Sequence, residues 1–305
     1  MIACIGGAHL DRHGVLREPL ILGTSNPGRV HTAFGGVARN VAENLARLGL
    51  KTTLLSRVGD DEAGRHVLRH STSLGIDTYL CTISPERPTA SYTAIVEATG
   101  ELVLGLADRD IYLEMEPAAL SPALPVLRVQ QHWFIDSNVP APTISWLLEQ
   151  AGGIPVAVDA ISVALARGLG ELLPRIPLLF ANLAQAASIA QVPRFADAAE
   201  AAAALRTLGA RAGVLTAGAT GIAAWSAGAI ESMPALPAEP RDVTGAGDAL
   251  VAATLFGIVR GQSLPSAARL GLAAAAITVE SRESAAPELT PELLAQRLAA
   301  HAHAR

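Results

Sequence analysis

Asp248 ends the run Thr-Gly-Ala-Gly-Asp, and a long apolar stretch follows it at once. Gly245 and Gly247, with only Ala246 between them, let backbone approach a ligand closely. The N–H groups at a helix start have no intrahelical partner and lie at its positive end, so they suit an anion. A carboxylate there has two readings: a first-turn acid that favours the helix, or a general base beside a bound phosphate. A second stretch, Phe-Gly-Gly-Val-Ala-Arg-Asn from Phe34 to Asn40, repeats the theme. Gly35 and Gly36 permit close approach, and Asn40 offers both a donor and an acceptor, which suits a sugar diol. Read alone, it is equally a glycine turn before a helix.

Such residues need a scaffold that brings them together. Short β-rich runs alternate with helical ones, the pattern of a parallel sheet covered by helices. Strands are expected over 2–7, 51–59, 130–136, 154–159, 176–182 and 211–218, with a hairpin over 221–235. Helices are expected over 38–49, from Asp61 to about Leu74, over 141–152, from Ser162, on both sides of Pro193, after Asp248, and over 265–280 and 290–302. Residues 13–34 and 88–108 break the rhythm. They alternate like antiparallel strands around glycine turns, with no helix between, and are expected to form a small separate sheet that serves as a lid.

Composition excludes several classes. Half of the 305 residues are apolar, 17% are charged, and the net charge is −5. Lys51 is the one lysine, which argues against a nucleic-acid groove or an anionic membrane surface. Cys4 and Cys81 give neither a disulfide framework nor zinc spacing, as in a reducing compartment. With no basic leader and no apolar run of ~20 residues, the chain is expected to be soluble and cytoplasmic. His66 and His70 stand four apart on an expected helix, but without a third ligand they read as a solvated face. Neither Ile-Gly-Gly-Ala-His-Leu-Asp (5–11) nor Thr-Gly-Ala-Gly-Asp-Ala-Leu completes G-x-G-x-x-G, and no Walker-type loop occurs. The tail His-Ala-His-Ala-Arg is expected to fray.

Taken in order, residues 5–11, Gly-Gly-Val-Ala-Arg-Asn-Val-Ala (35–42), Gly49, Gly59, Arg-Pro-Thr-Ala-Ser-Tyr (87–92), Leu-Thr-Ala-Gly-Ala-Thr-Gly (215–221) and Asp-Val-Thr-Gly-Ala-Gly-Asp (242–248) resemble something specific. They are similar to the paired signatures of the ribokinase-like (PfkB) family of carbohydrate and nucleoside kinases, over nearly the whole chain. The resemblance implies a single domain, 1–305, with a three-layer α/β/α core, a mainly parallel sheet and a β-lid. It also implies ATP and Mg²⁺ as cofactors. Ser-Asn-Pro-Gly (25–28), the segment 89–111 and Ile-Asp-Ser-Asn-Val-Pro (135–140) further resemble the branch that phosphorylates the 5′-hydroxyl of pseudouridine in nucleoside degradation. Uridine, ribose or another acceptor stay open within the family, and a ligand-binding pseudoenzyme stays open beyond it.

Carried over residue by residue, the resemblance makes Asp248 the base and the amides of Gly245, Ala246 and Gly247 the anion hole. Asp11, Gly35, Gly36 and Asn40 hold the sugar, with Ser91, Ser137 and Asn138 as candidates for contacts to a base. Asn182 lies near phosphates and Mg²⁺, and Thr216, Gly218 and Gly221 line the nucleotide. Asp242 is the carboxylate associated with a monovalent cation such as K⁺, or else a loop acid. Family lids pair edge to edge, so the expected partner besides nucleoside and ATP is a second copy. Three departures stand out: His9 replaces the usual Asn, Gln185 replaces a Glu, and the segment after Asp159 lacks the expected Pro and Lys. A neutral Gln185 in place of the Glu predicts a greater Mg²⁺ requirement, which Gln185→Glu lowers.

Overall fold

The computed structural model describes residues 1–99 and 101–302. Gly100, in the expected lid turn, and residues 303–305 of the expected tail lie outside the described residues. In chain order the strands are β1 (Ile2–Ile5), β2 (His9–Leu16), β3 (Gly28–Gly35), β4 (Thr52–Leu55), β5 (Arg57–Gly59), β6 (Thr82–Ser84), β7 (Ser91–Val96) and β8 (Leu102–Asp108). There follow β9 (His132–Asp136), β10 (Val156–Asp159), β11 (Leu178–Asn182), β12 (Gly213–Thr216), β13 (Ile222–Trp225) and β14 (Glu231–Met233).

Eight strands make the main sheet, in the order β14-β13-β12-β11-β10-β9-β1-β4. Every pair from β4 to β12 is parallel, and β13 and β14 close one edge as an antiparallel hairpin. Strands covered on both faces must be apolar at successive positions, because neighbouring side chains point to opposite sides. β1 shows this directly. Ala3 and Ile5 join the core beneath one layer of helices, which includes Ala141–Gln150, Leu183–Ala190 and Ala198–Thr207. Ile2 and Cys4 join the other, beneath Val37–Arg47, Ala246–Val259 and Leu264–Glu280. This is the ribokinase-like α/β/α arrangement.

The lid is a four-stranded sheet, β3-β2-β7-β8. It differs from expectation in two ways. It begins at His9, so Asp11 lies within it, and its central pair, β2 with β7, is parallel. A half-buried strand repeats every two residues whichever way its neighbour runs, so alternation could not tell the two apart. The outer strand β8 is exposed throughout, with Leu104 at 59% and Leu106 at 65% exposure on an unpaired edge. The helix expected from Ser162 amounts to a single turn, Val163–Ala166, followed by 3₁₀ turns. Residues 110–127 add short helical turns that no periodicity announced, three of them with Pro in the first turn. His70 also leaves the solvated face expected for it: its ring stacks on Phe34 at 3.9 Å.

Candidate active site

One side of the candidate site is built where the chain changes direction across the sheet. β4 follows on one side of β1 and β9 on the other, and crevices at the carboxyl ends of such strands are where open α/β sheets take ligands. Asp136, at the end of β9, is fully buried there. Its Oδ2 accepts from the N–H groups of Gly7 and Ala38, each at 2.8 Å, and its Oδ1 from Asn138 N–H at 2.9 Å. Burial pushes its pKa up, and the three amides pull it back. One carboxylate thus ties together the loop after β1, the start of the helix Val37–Arg47 and the loop after β9. The contact is close enough that Gly36, at φ +98°, has its missing Cβ against the Gly7 carbonyl.

Asp11 lies on β2 opposite Ala33 and Tyr92. It is 9% exposed, and its Oδ1 has no hydrogen-bond partner among the described residues. His9 Nε2 stands 3.2 Å from that oxygen. Ser137 Oγ and Asn138 Oδ1 are also buried and unpartnered, with Asn138 beside Gly7 and Tyr112. Ser91 is not brought in. It pairs with Leu10, one residue out of step with Asp11, so its side chain takes the opposite face of the lid sheet, and Tyr92 holds the inner position.

Asn40 links this side to the candidate base: its Nδ2 donates to Asp248 Oδ2 at 2.6 Å. The amide cannot turn round, because the Arg39 guanidinium donates to Asn40 Oδ1. Arg39, 1% exposed, is fixed in turn by the carbonyls of Gly35 (3.0 Å) and Phe34 (2.8 Å) and by Glu43 (2.5 Å). A buried guanidinium is tolerable only with its donors occupied in this way. Burial pushes Glu43 up, but Arg39 and Arg47 outweigh it and hold the carboxyl below its usual range. Asp248 goes the other way. Burial raises it to about 7, Asn40 opposes that, and the Asp136 charge adds to it. A carboxylate poised near neutrality is matched to taking a proton from a hydroxyl.

Gly245 precedes the helix Ala246–Val259 at φ +78°, and any Cβ there would overlap the Ser284 carbonyl oxygen. Only glycine fits. The N–H groups of Gly245 and Gly247 have no protein partner among the described residues, and that of Ala246 makes only a long bond, 3.4 Å, to Val243. Beyond them lies a cavity of about 700 Å³ whose wall includes Thr216, Gly218, Gly221, Leu236 and Ala275. A smaller, more polar one of about 370 Å³ connects Asp248 with Asp159, Asn182 and Gln185. Burial raises Asp159 to about 8, and the Asp248 and Asp136 charges add to it, against the pull of Ile161 N–H. Asp242 is exposed and accepts from Thr244 N–H at 2.8 Å.

Gln185 is not the free outer-sphere group that its position suggested. Its Oε1 accepts from Asn182 N–H at 2.7 Å, and its Nε2 donates to the Ile161 carbonyl at 2.5 Å. The side chain braces a helix start against the loop after β10. A glutamate would keep the first bond and set an oxygen against an oxygen at the second. The earlier expectation is therefore reversed. Gln185→Glu should lower stability by ~1–3 kcal/mol, the penalty of a lost buried partner, and leave the Mg²⁺ requirement unchanged. Thermal melts and Mg²⁺ titrations of both proteins check this; a lower half-saturating Mg²⁺ with unchanged melting would refute it.

Of the residues that sequence reasoning assigned to one site, the structure sets Asn40 against Asp248 and Asp11 against Gly35. Sequence reasoning passed over Asp136 and Arg39. Asp136 had one signal, a carboxylate closing the apolar run Trp133–Ile135. Arg39 had another, a cation four residues before Glu43 on a helix that has to be buried.

The chain belongs to the pfkB family of carbohydrate kinases, whose family model matches residues 1–291. The pseudouridine kinase of Escherichia coli (strain K12) is 29% identical over 299 residues, 95% of this chain and 93% of that protein. A carbohydrate kinase from Agrobacterium tumefaciens superimposes with a TM-score of 0.85 at 34% identity, covering 98% of this chain and 96% of its own. Arabidopsis thaliana ribokinase, solved with ribose and ATP, has a TM-score of 0.83 at 20% identity, covering 97% and 98%.

Proposed function

We propose that the chain transfers a phosphoryl group from ATP to the 5′-hydroxyl of a nucleoside, with pseudouridine as its preferred acceptor. The observation that carries this is the Asn40–Asp248 contact. It joins the start of the helix Val37–Arg47 to a carboxylate poised near neutrality, one residue beyond the unpartnered amides of Gly245 and Gly247. Asp248 takes the proton of the attacking hydroxyl, and the amides hold the charge that develops on the transferred group. Phosphoryl transfer asks for little more than such positioning and charge stabilisation. The large, mostly apolar cavity receives the adenine, as supported by the ATP held in the Arabidopsis ribokinase.

The donor set of the polar cavity fits Mg²⁺. The Asp248 charge raises the pKa of Asp159 there, a repulsion that a divalent cation relieves, and Asn182 adds a neutral oxygen. When bound, Mg²⁺ neutralises phosphate charge. Asp242 is the carboxylate for a monovalent cation. The second copy expected at the lid would meet β8, whose exposed leucines and free edge favour strand pairing.

The acceptor panel tests the proposal. Pseudouridine carries a ring N–H where uridine has C–H, and Asn138 Oδ1 and Ser137 Oγ are buried acceptors without a partner. Sites built around such a bond can reject the analogue by up to ~10⁴-fold. With ATP consumption as readout, kcat/KM is expected to fall from pseudouridine to uridine to free ribose, and light scattering of the same preparation should give a dimer mass. Best activity on a free sugar would remove the nucleoside assignment, and no turnover on any acceptor would remove the kinase one.

A further inference from the structure

Three contacts beside β1 bear on where two protons sit. The N–H of Ala8 donates to the Tyr112 hydroxyl oxygen at 2.9 Å. A backbone N–H can only donate, so the phenol accepts there and its own proton is free for another partner. The partner within reach is His9 Nδ1, at 3.1 Å. Tyr112 is 2% exposed, and burial together with the Asp136 charge keeps its phenol protonated. A phenol that donates to Nδ1 leaves the ring proton on Nε2, which stands 3.2 Å from Asp11 Oδ1 and off the hydrogen-bond line to it.

We propose that Tyr112 is a positioning residue for the phosphoryl acceptor. It locks His9 in the Nε2–H tautomer, so that His9 Nε2 and Asp11 Oδ1 present a donor and an acceptor side by side to one hydroxyl of the acceptor's vicinal diol. A hydroxyl both gives and takes a hydrogen bond, and this pair uses both capacities. The other tautomer would aim a lone pair at the same hydroxyl oxygen, beside a carboxylate that already repels it. An asparagine at this position, as in the family pattern, carries its donor covalently. A histidine needs a neighbour to choose its tautomer, and Tyr112 comes from a segment 103 residues away to do so. The inference rests on the acceptor-site reading above, although the tautomer itself does not.

Two measurements separate the parts. In ¹⁵N-labelled protein, long-range ¹H–¹⁵N spectra of the histidine side chains, with His9 assigned by its loss in His9→Gln, should show protonated Nε2 and bare Nδ1. Tyr112→Phe should release His9 into a mixture of tautomers. In kinetics, Tyr112→Phe should raise the acceptor KM about tenfold, the value of one hydrogen bond (~1.4 kcal/mol), with kcat within about threefold. For the 2′- or 3′-deoxy acceptor that lacks the gripped hydroxyl, the rise should disappear, which a purely structural defect would not produce. Should Tyr112→Phe fold poorly, His9→Gln, which carries an amide N–H to nearly the same place, should keep affinity that His9→Phe loses. Protonated Nδ1 in the wild type, or an equal KM rise on both deoxy acceptors, overturns the proposal. A wild type with the expected Nε2 signal and no phosphoryl transfer supports the lock and refutes the kinase reading instead.

Discussion

Asp248→Asn is expected to lower kcat by ~10²–10⁴-fold, the usual loss when a general base is removed, with nucleotide and acceptor affinities nearly retained. The replacement is isosteric and leaves an oxygen for Asn40, so the crevice keeps its shape and loses only the ability to take a proton. The pH dependence follows from the same group. Burial raises the carboxyl to about 7, so below that value it holds a proton and cannot accept another. Wild-type kcat/KM should therefore fall by about tenfold per unit as pH drops below ~7 and level off above it. The Asn variant should lose that limb. Near-normal turnover in Asp248→Asn, or a wild-type limb near pH 4, would remove Asp248 from the role.

Asp136→Ala is expected to have the largest effect on stability. It orphans three buried amides that now share one carboxylate. Bonds to charged acceptors contribute roughly 1.5–3 kcal/mol each, so a loss of ~4 kcal/mol or more is expected, a large part of what holds a typical domain. Asp136→Asn can keep its oxygen toward Gly7 and Ala38 and sacrifice only the bond to Asn138, so it should cost about half as much or less. Urea denaturation of the three proteins measures both steps. Equal losses for Ala and Asn, or an Ala variant within about 1 kcal/mol of wild type, would show that the three loops do not depend on this carboxylate.

The succession of strands and helices was legible because burial on both faces leaves uninterrupted apolar runs such as Val156–Val158, and because Gly49 ends a helix as expected. The two glycine loops were legible for a similar reason: close approach of backbone needs particular residues at particular spacings, and Gly245 shows why nothing larger serves. The rest depends on pairings that sequence does not carry. Asp136 reaches Gly7 across 129 positions, and Gln185 reaches Ile161 across 24. In both cases the residue type stated its capacity for hydrogen bonding and not its partner. Ser91 failed by one residue of register, which a strand pattern fixes only once its neighbour is known.

The 208 residues between Asn40 and Asp248 have a consequence for biosynthesis. The helix Val37–Arg47 packs against Ala246–Val259, and β1 takes its place beside β9 only after nearly half of the interval to that second helix has been made. At synthesis rates of ~5–20 residues per second, the first of these surfaces waits on the order of 10–40 s for its cover. Its occupants, among them Val41 and Leu45, are wholly buried in the finished chain. A ribosome-bound fragment ending before the second helix therefore offers a chaperone an apolar face that the completed protein never shows.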